Sequence, residues 1–135
     1  DWLKKDKKLL SVYRKGRDQY SVSCGACHQA NGKGLPGMAP TLEKSDWVTG
    51  DATRLIGVAV HGLTGPIKIN GKLVENVPPV MPPHGFMKDE QLANILTYVR
   101  NAWGNSATSI SPDDVRNYRK DHMNRVQPWT ETEFE

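Results

Sequence analysis

The sequence predicts an all-α fold in which two long helices cross and a small β-hairpin is inserted between them. Two amphipathic stripes, one before residue 28 and one after residue 88, predict the helices because their apolar residues recur every three or four positions. The pair Asn70-Gly71 between alternating apolar residues predicts the hairpin, since Asn-Gly favours a tight type I′ turn. At 135 residues, the chain is long enough for one domain with one modest core.

The first helix leads directly into the two cysteines of the chain. A stripe of residues spaced alternately by three and four positions lies on one face of this helix. The residues of the stripe are Leu10, Tyr13, Arg17, Tyr20, Cys24 and Cys27. Gly16 lies beside the stripe, and a glycine inside a helix costs about 1 kcal/mol relative to alanine. We therefore expect another helix to approach closely at Gly16.

The second helix, from about Asp89 to Trp103, has the strongest periodicity and is the expected partner of the first. Its apolar positions are Leu92, Ile95, Leu96, Val99 and Trp103. Asp89 and Glu90 stand in the first turn, where the helix dipole favours negative charge. Gly104 follows as the predicted stop of this helix.

Loops and short elements connect the two helices. Two segments rich in glycine or proline are predicted loops, at residues 29–46 and 76–87. Between them, residues 51–61 predict a short helix with Asp51 as its N-cap. The hairpin is expected at about residues 64–76, where it would cover one edge or the rear of the molecule.

The residues after Gly104 form a polar stretch followed by one more predicted helix. Ser111-Pro112-Asp113-Asp114 is typical of a helix start. We expect this helix to run to about Met123 and to end in a loose tail.

Both cysteines lie in the motif Cys24-Gly25-Ala26-Cys27-His28, which is the attachment signature of a c-type haem. Each thiol would form a thioether to one vinyl group of the porphyrin. His28 would then be held beneath the iron as its proximal ligand. A covalently attached haem with one ligand fixed predicts redox chemistry.

Three other uses of a Cys-x-x-Cys pair fit this sequence less well. A structural zinc site needs four ligands, whereas the remaining histidines, His61, His84 and His122, are scattered singly. A thioredoxin-type motif follows a strand, whereas a predicted helix precedes this pair. A plain disulfide would leave His28 without a role.

The second axial ligand has seven candidates: Met38, Met81, Met87, Met123, His61, His84 and His122. We expect Met81, because Pro78, Pro79, Pro82 and Pro83 on its two sides stiffen the loop that would hold its thioether. Met38 follows His28 too closely to reach the other haem face easily. Met87 and His84 stay as alternatives, although Met87 is more economically a core residue. His61 and His122 are interpreted as surface residues.

Charge and hydropathy limit the partners of the chain, whose formal net charge is +3. Basic residues concentrate near its start (Lys4, Lys5, Lys7, Lys8, Arg14, Lys15 and Arg17) and acidic ones at its end (Glu131, Glu133 and Glu135). The basic start predicts attraction to an acidic redox partner, association with an anionic membrane surface, or simply a solvated helix face. No motif predicts nucleic-acid binding and no apolar run predicts a membrane span.

Several motifs occur in a characteristic order along the chain. They are Gly16-x-x-x-Tyr20-x-x-x-Cys24-Gly25-Ala26-Cys27-His28, Pro40, Met81-Pro82 and Ile95-x-x-Tyr98. Together they resemble class I mono-haem cytochromes c over about residues 10–104. The chain differs from the minimal pattern by a basic N-terminal extension (residues 1–9), the hairpin, and a C-terminal extension with a short helix (residues 105–135).

This resemblance implies the cytochrome c fold, with crossed terminal helices around one haem c attached through Cys24 and Cys27. Gly16 and Tyr20 would pack against Ile95 and Tyr98 where the helices cross. The carbonyl of Pro40 would accept the Nδ1–H of His28 and so orient the ring. Trp47 and Arg54 would reach a haem propionate, and Met81 would be the distal ligand.

Further motifs resemble a bacterial subgroup of these cytochromes. They are Gly37-x-x-Pro40-x-Leu42, Ser45-Asp46-Trp47-Val48, His61-Gly62-Leu63-x-Gly65-Pro66-Ile67 and Met81-Pro82-Pro83-His84-Gly85. Members of the subgroup are small carriers of respiratory chains, or haem modules fused to quinoprotein dehydrogenases, copper nitrite reductases or haem–copper oxidases. The resemblance implies redox partners such as a quinol-oxidising complex, a dehydrogenase, a reductase or a terminal oxidase.

We therefore expect an outer-sphere electron carrier, not an enzyme, whose iron keeps His28 and Met81 in both oxidation states. Covalent haem implies the periplasm or an extracytoplasmic membrane surface, and we expect a monomer. Because no secretory segment opens the sequence, we expect a processed chain or an excised domain. Two alternatives stay open: a haem module of a larger oxidoreductase, and a peroxidase or gas sensor with a displaceable distal ligand and His84 as its acid–base group.

Overall fold

The computed structural model describes residues 6–74 and 80–134, apart from the side chain of Val80. Within them lie the helices α1 (Lys7–Ser23), α2 (Gly25–His28), α3 (Asp46–Thr49), α4 (Ala52–His61), α5 (Asp89–Val99) and α6 (Pro112–Asp121), and a 3₁₀ turn at Glu131–Phe134. The strands are β1 (Leu63–Thr64), β2 (Ile67–Ile69), β3 (Lys72–Val74) and β4 (Val80–Met81). The predicted all-α class with a small hairpin is confirmed. Lys4 and Lys5 of the basic extension, and Pro78 and Pro79 before Met81, lie outside the described residues.

Helices α1 and α5 cross at Gly16. A Cβ atom there would collide with the backbone carbonyl of Asn94 and would lie 2.8 Å from Cβ of Tyr98. The close approach predicted at Gly16 is therefore present, with Asn94 at the contact where Ile95 was expected. Tyr98 also packs against the rings of Tyr13 and Tyr20, with centroids 5.0 and 5.4 Å away.

The start of α1 does not coincide with the predicted boundary between residues 1–9 and 10–104. Asp6 caps the helix, because its side chain accepts hydrogen bonds from the backbone N–H groups of Lys8 and Leu9. Residues 7–9 of the expected extension are thus the first turn of α1.

Helix α5 ends at Val99, which is earlier than the predicted end at Trp103. The cause is Arg100, a buried side chain whose guanidinium donates to the carbonyl oxygens of Val48 and Gly50. Three residues further on, Trp103 has a positive φ of 54°, which a right-handed helix does not contain. The predicted end of this helix was wrong because the carbonyl groups that Arg100 binds lie far from it in the sequence.

The short elements between the crossing helices follow their local signals. Asp51 caps α4 by accepting the N–H of Thr53, as predicted. Strands β2 and β3 pair antiparallel around Asn70 and Gly71, whose φ angles of 53° and 83° fit a type I′ turn. The side-chain amide of Asn70 donates to the carbonyl of Lys44, so the hairpin is fixed to the loop before α3.

A second ladder, which the sequence did not predict, joins three segments of the chain. Strands β1 and β4 pair antiparallel, with Leu63 opposite Met81. On the other side of β1, Trp129 donates its N–H to the carbonyl of Gly62 and accepts the N–H of Thr64. The residues around Met81 are therefore connected to the C-terminal segment through β1.

The C-terminal segment packs on the domain, so the predicted loose tail was wrong. Helix α6 has the expected start, since Ser111 and Asp114 cap each other, and it ends at Asp121, just before the predicted end. Beyond it, the indole N–H of Trp129 donates to the hydroxyl of Tyr118 at 2.8 Å. Isolated aromatic residues in a polar segment give no periodic signal in the sequence. Here they nevertheless anchor the C-terminal segment.

Two hydrophobic clusters form the core. The larger one joins α1, α4, α5 and α6 and includes Tyr20, Ile56, Leu96, Val115 and Tyr118. The smaller one lies under the hairpin and comprises Trp47, Val58, Ile67 and Ile69. Among the described residues, no helix is long and apolar enough to cross a membrane.

His61 and His122 are not the free surface residues that the sequence suggested, since both are half-buried around Tyr118. The hydroxyl of Tyr118 accepts from the indole of Trp129 and also forms a hydrogen bond with Nδ1 of His61, 2.6 Å away. The ring of His122 stacks on Tyr118 at 4.2 Å. Burial lowers the pKa of His61, and the nearby charge of Arg125 lowers this pKa further.

Replacing Gly16 by alanine is expected to destabilise the protein by about 1 kcal/mol net. Overpacking against a backbone carbonyl, which cannot move aside as a side-chain tip does, costs about 2 kcal/mol. Alanine gains back roughly 1 kcal/mol over glycine in a helix. Denaturant unfolding of Gly16→Ala and of the exposed control Lys15→Ala measures the difference. Equal unfolding free energies for the two variants would contradict the tight crossing.

Stability is expected to fall as the pH drops below about 6.5, the ordinary histidine pKa. The folded pKa of His61 is lowered, so the unfolded chain takes up a proton first and unfolding is favoured on acidification. At higher pH, both states hold His61 neutral and the penalty is absent. Denaturant unfolding at pH 7.5 and 5.5 should show a smaller acid loss in His61→Gln than in the unaltered protein. An identical loss in both would exclude His61 as a source.

Candidate haem-binding site

A cavity of about 300 Å³ lies inside the domain. Its wall is built mainly from apolar side chains of α4, α5 and the hairpin, among them Leu55, Val58, Ile67, Ile69, Leu92, Ile95, Leu96 and Val99. Native interiors contain few voids larger than a water molecule, whereas ligand pockets begin at about this volume. The cavity is therefore large enough to bind a ligand.

The two cysteines lie on the cavity wall at the junction of α1 and α2. Both are free thiols; Cys24 is half-buried and Cys27 is exposed. The backbone N–H groups of Cys27 and His28 both donate to the carbonyl of Cys24, which closes one tight turn over the motif. This turn brings all three side chains of the motif to the same cavity.

The thiol of Cys24 lies in an apolar environment. Burial, and to a lesser extent Cys27, raises the pKa of Cys24 to about 11, so it is protonated at neutral pH. Thioredoxin-type cysteines instead have a lowered pKa. The described part of the chain holds no cluster of three or more histidine, cysteine or acidic residues that could bind a metal ion.

His28 is buried, with 7% of its surface exposed, and is oriented by the backbone. Its Nδ1 donates to the carbonyl oxygen of Pro40 at 3.0 Å, which leaves Nε2 free as a ligand atom. Burial lowers the pKa of His28, although the hydrogen bond to Pro40 acts in the opposite direction. The ring is therefore held as a neutral imidazole, the form that binds metals.

The loop between His28 and Pro40 is shaped by Gly34. With a φ of +69°, Gly34 adopts a left-handed conformation that side chains rarely allow, and a Cβ atom there would collide with the carbonyl of Ala39. The N–H of Gly34 also donates to the carbonyl of His28. This turn returns the chain so that Pro40 faces the imidazole.

Met81 lines the cavity from β4, where its pairing with Leu63 fixes the backbone. Three other candidates for the second ligand also line it, namely Met38, Met87 and His84. Met123, His61 and His122 do not belong to the wall. Of these, Met123 is 79% exposed and His61 is bonded to Tyr118.

Trp47 and Arg54 lie next to each other, and the expectation that they reach a haem propionate stays a prediction. Trp47 lines the cavity, but its indole N–H donates to the carbonyl of Lys68 at 2.8 Å. Arg54 is not part of the wall: its guanidinium lies over the Trp47 ring, 4.2 Å from the centroid, and donates to the carbonyl of Asp46. The Nε of Arg54 is buried without a hydrogen-bond partner, and is thus a donor still available beside Trp47.

Sequence reasoning missed Ser45, which is 1% exposed and lines the cavity. Its hydroxyl caps α3 by accepting the N–H of Trp47. The signal was present, because a serine directly before an aspartate is typical of a helix start. Ser45 thus fixes the position of the Trp47 ring on the wall.

These residues fit a covalently attached haem. Two unpaired thiols, a neutral imidazole with a free Nε2 and a thioether face one apolar cavity. A cofactor in this space would cover apolar side chains that otherwise face solvent.

Comparison with known proteins also indicates a haem-binding protein. The sequence profile of the family described as "Cytochrome c" matches residues 13–103. Cytochrome c-552 of Thermus thermophilus is 34% identical over 89 residues, which are 63% of this chain and 66% of that protein. The gluconate 2-dehydrogenase cytochrome c subunit of Pantoea cypripedii is 32% identical over 112 residues, 78% of this chain and 24% of the subunit.

A third relative is the cytochrome c subunit of alcohol dehydrogenase (quinone) from Gluconacetobacter polyoxogenes, 30% identical over 111 residues and covering 77% of this chain. The chain spans 22% of that subunit, and thus only part of the length of each relative. All these relatives are cytochromes, and members of the matching family bind haem c covalently. The chain therefore belongs to the cytochrome c family, as a class I c-type cytochrome.

Proposed function

We propose that this chain carries one haem c, attached through Cys24 and Cys27, with His28 and Met81 as axial ligands. The observation that carries the proposal is the convergence of these four side chains on one apolar cavity. They come from two distant parts of the sequence, the α1–α2 junction and strand β4. The chain holds no other cysteine, so it offers one attachment site.

Met81 is the best placed of the four cavity-lining candidates for the second ligand. Its backbone is fixed by a ladder, whereas Met38 is 48% exposed. Met87 packs against the core beside the start of α5. Because this pairing fixes the backbone of Met81, its side chain starts from a defined position beside the cavity.

Bound haem c supplies a one-electron couple, and its methionine ligand favours the reduced state. The protein contributes position and environment. The carbonyl of Pro40 keeps the imidazole of His28 in one orientation, and the pairing of β4 with β1 keeps Met81 in place. The apolar wall excludes water. Electron transfer then requires little rearrangement of the chain.

The described residues of the cavity wall are almost all uncharged. Among them, none is an arginine, a lysine or a carboxylate. Their imidazoles are those of His28 and His84. This lining supports an electron carrier more than a peroxidase, whose distal site uses charged groups.

Electrons are proposed to leave where the attachment site reaches the surface. Cys27, Ala26, Pro36 and Met38 are all exposed there, so a partner can approach the cofactor edge. Helix α1 adds exposed cations, namely Lys7, Lys8, Arg14, Lys15 and Arg17. We propose an acidic redox partner that docks briefly over a small area, as is usual for such encounters.

The proposed partners are a quinol-oxidising complex, a dehydrogenase, a reductase or a terminal oxidase. The proposed location is the periplasm or an extracytoplasmic membrane surface, with the domain monomeric. A second candidate, a haem module within a larger dehydrogenase assembly, is favoured by a specific observation. More than three quarters of the chain aligns with the cytochrome subunits of two dehydrogenases, yet it spans less than a quarter of each. The mass of the intact polypeptide in its native membrane fraction distinguishes a free carrier from a module.

Replacing Met81 by alanine is expected to abolish the weak near-red absorption band that methionine ligation gives ferric haem. The reduction potential should fall as well, because the thioether no longer stabilises the ferrous state. Met87→Leu is the matched control: it removes another thioether from the same cavity and should keep the band. Absorption spectra of the ferric proteins and potentiometric titration measure both effects.

Two outcomes would overturn this assignment. A near-red band that survives in Met81→Ala but disappears in Met87→Leu would make Met87 the ligand. Absence of the band from the unaltered protein would exclude methionine ligation and favour a displaceable distal ligand.

A further inference from the structure

We propose that Arg119 is a positioning residue that holds the loop following Met81, and so keeps Met81 at the cofactor. This inference rests on the proposed ligation by Met81. Arg119 lies outside residues 13–103, the part of the chain that matches the family profile. It would be a feature of this chain's own C-terminal segment.

The guanidinium of Arg119 makes hydrogen bonds to three points around this loop. Its Nη1 donates to the carbonyl of Gly85 at 2.9 Å, and its Nη2 to the carbonyl of Met87 at 2.6 Å. Its Nε donates to the carboxylate of Asp89 at 2.7 Å. The planar fork of an arginine can join three such acceptors at once, whereas a lysine ammonium is a single point charge.

Helix α6 brings Arg119 to this position. The helix is anchored by Val115 and Tyr118, which are 0% and 4% exposed. Arg119 follows Tyr118 directly and is only 29% exposed. Because the helix cannot shift without removing these two residues from the core, the guanidinium is held at a fixed height above the loop.

Few backbone hydrogen bonds hold the loop between Met81 and α5. The N–H of His84 donates to the carbonyl of Ala59, and the N–H of Met87 donates to the carbonyl of His84. The first bond holds the middle of the loop, and the second lies within the loop. Met87 packs against the core, and the hydrogen bonds of Arg119 join the later half of the loop to α6.

Met81 is thus held from both sides by the segment after residue 104. On one side, Trp129 pairs with β1, and β1 pairs with Met81. On the other side, Arg119 binds the loop that leaves Met81. Loss of the Arg119 bonds should therefore increase the fraction of molecules in which Met81 has moved away from the iron.

Imidazole binding to the ferric holoprotein measures this fraction directly. Exogenous imidazole binds only where Met81 has been displaced, so its apparent dissociation constant equals the intrinsic value divided by the open fraction. We expect Arg119→Ala to bind imidazole about tenfold more tightly than the unaltered protein, since hydrogen bonds to a charged group are among the stronger ones. Arg119→Lys keeps the charge but not the fork, and should show most of this change.

Arg116→Ala is the matched control. Arg116 is on the same helix, 3.8 Å from the Asp89 carboxylate, but it makes no bond to the loop carbonyls. Its loss should leave imidazole affinity unchanged within about twofold. Denaturant unfolding of all three variants separates loosening of the loop from general destabilisation.

The outcomes are distinct. Tighter imidazole binding in Arg119→Ala and Arg119→Lys, with Arg116→Ala unchanged, supports the proposal. Unchanged affinity in a folded Arg119→Lys overturns it, even where Arg119→Ala fails to fold. Equal tightening in all three variants also overturns it, since the effect would then belong to α6 as a whole. If imidazole binds the unaltered protein and Met81→Ala with equal affinity, Met81 ligation itself fails.

Discussion

The apolar cavity is the constraint on which the rest of the structure depends. Helices α1, α4 and α5, the hairpin and strand β4 all contribute to its wall. These elements leave an apolar space of about 300 Å³ between them, which the proposed cofactor would fill. The crossing at Gly16 and the turn at Gly34 also help to form the cavity. The first joins the two helices behind the cavity, and the second returns Pro40 to His28.

The segment after residue 104 packs against the outside of this cytochrome domain. The described residues of α6 and beyond do not line the cavity, yet they contact the elements that do. Trp129 extends the ladder that contains Met81, Phe134 packs on Trp47 at 5.9 Å, and Arg119 binds the loop before α5. The C-terminal segment thus contacts both the residues around Met81 and the ring of Trp47. Its contribution is to restrict motion of the wall.

The sequence predicts those features of the structure that depend on residues close together along the chain. Rules that involve only neighbouring residues located Gly16, the caps Asp51 and Ser111, and the turn Asn70-Gly71. The Cys-x-x-Cys-His motif predicted the cofactor because covalent attachment needs a fixed spacing. The end of α5 and the packed tail were mispredicted because their causes are distant: Arg100 bonds carbonyls near residue 50. Arg119 gave no signal at all, since two of its three partners are backbone carbonyls, which every residue has. For the same reason, only the family resemblance could suggest the contact between His28 and Pro40.

The central claim is that a covalently attached cofactor completes the fold by filling the cavity. The most direct measurement is equilibrium unfolding of the haem-free chain, followed by near-ultraviolet circular dichroism, beside the same measurement on the holoprotein. Without the cofactor, the apolar residues of the wall face solvent and lose the contacts that the cofactor would supply. We therefore predict that the haem-free chain lacks a near-ultraviolet signal and a cooperative transition, while the holoprotein shows both. A haem-free chain that unfolds cooperatively with a native-like signal would contradict the account.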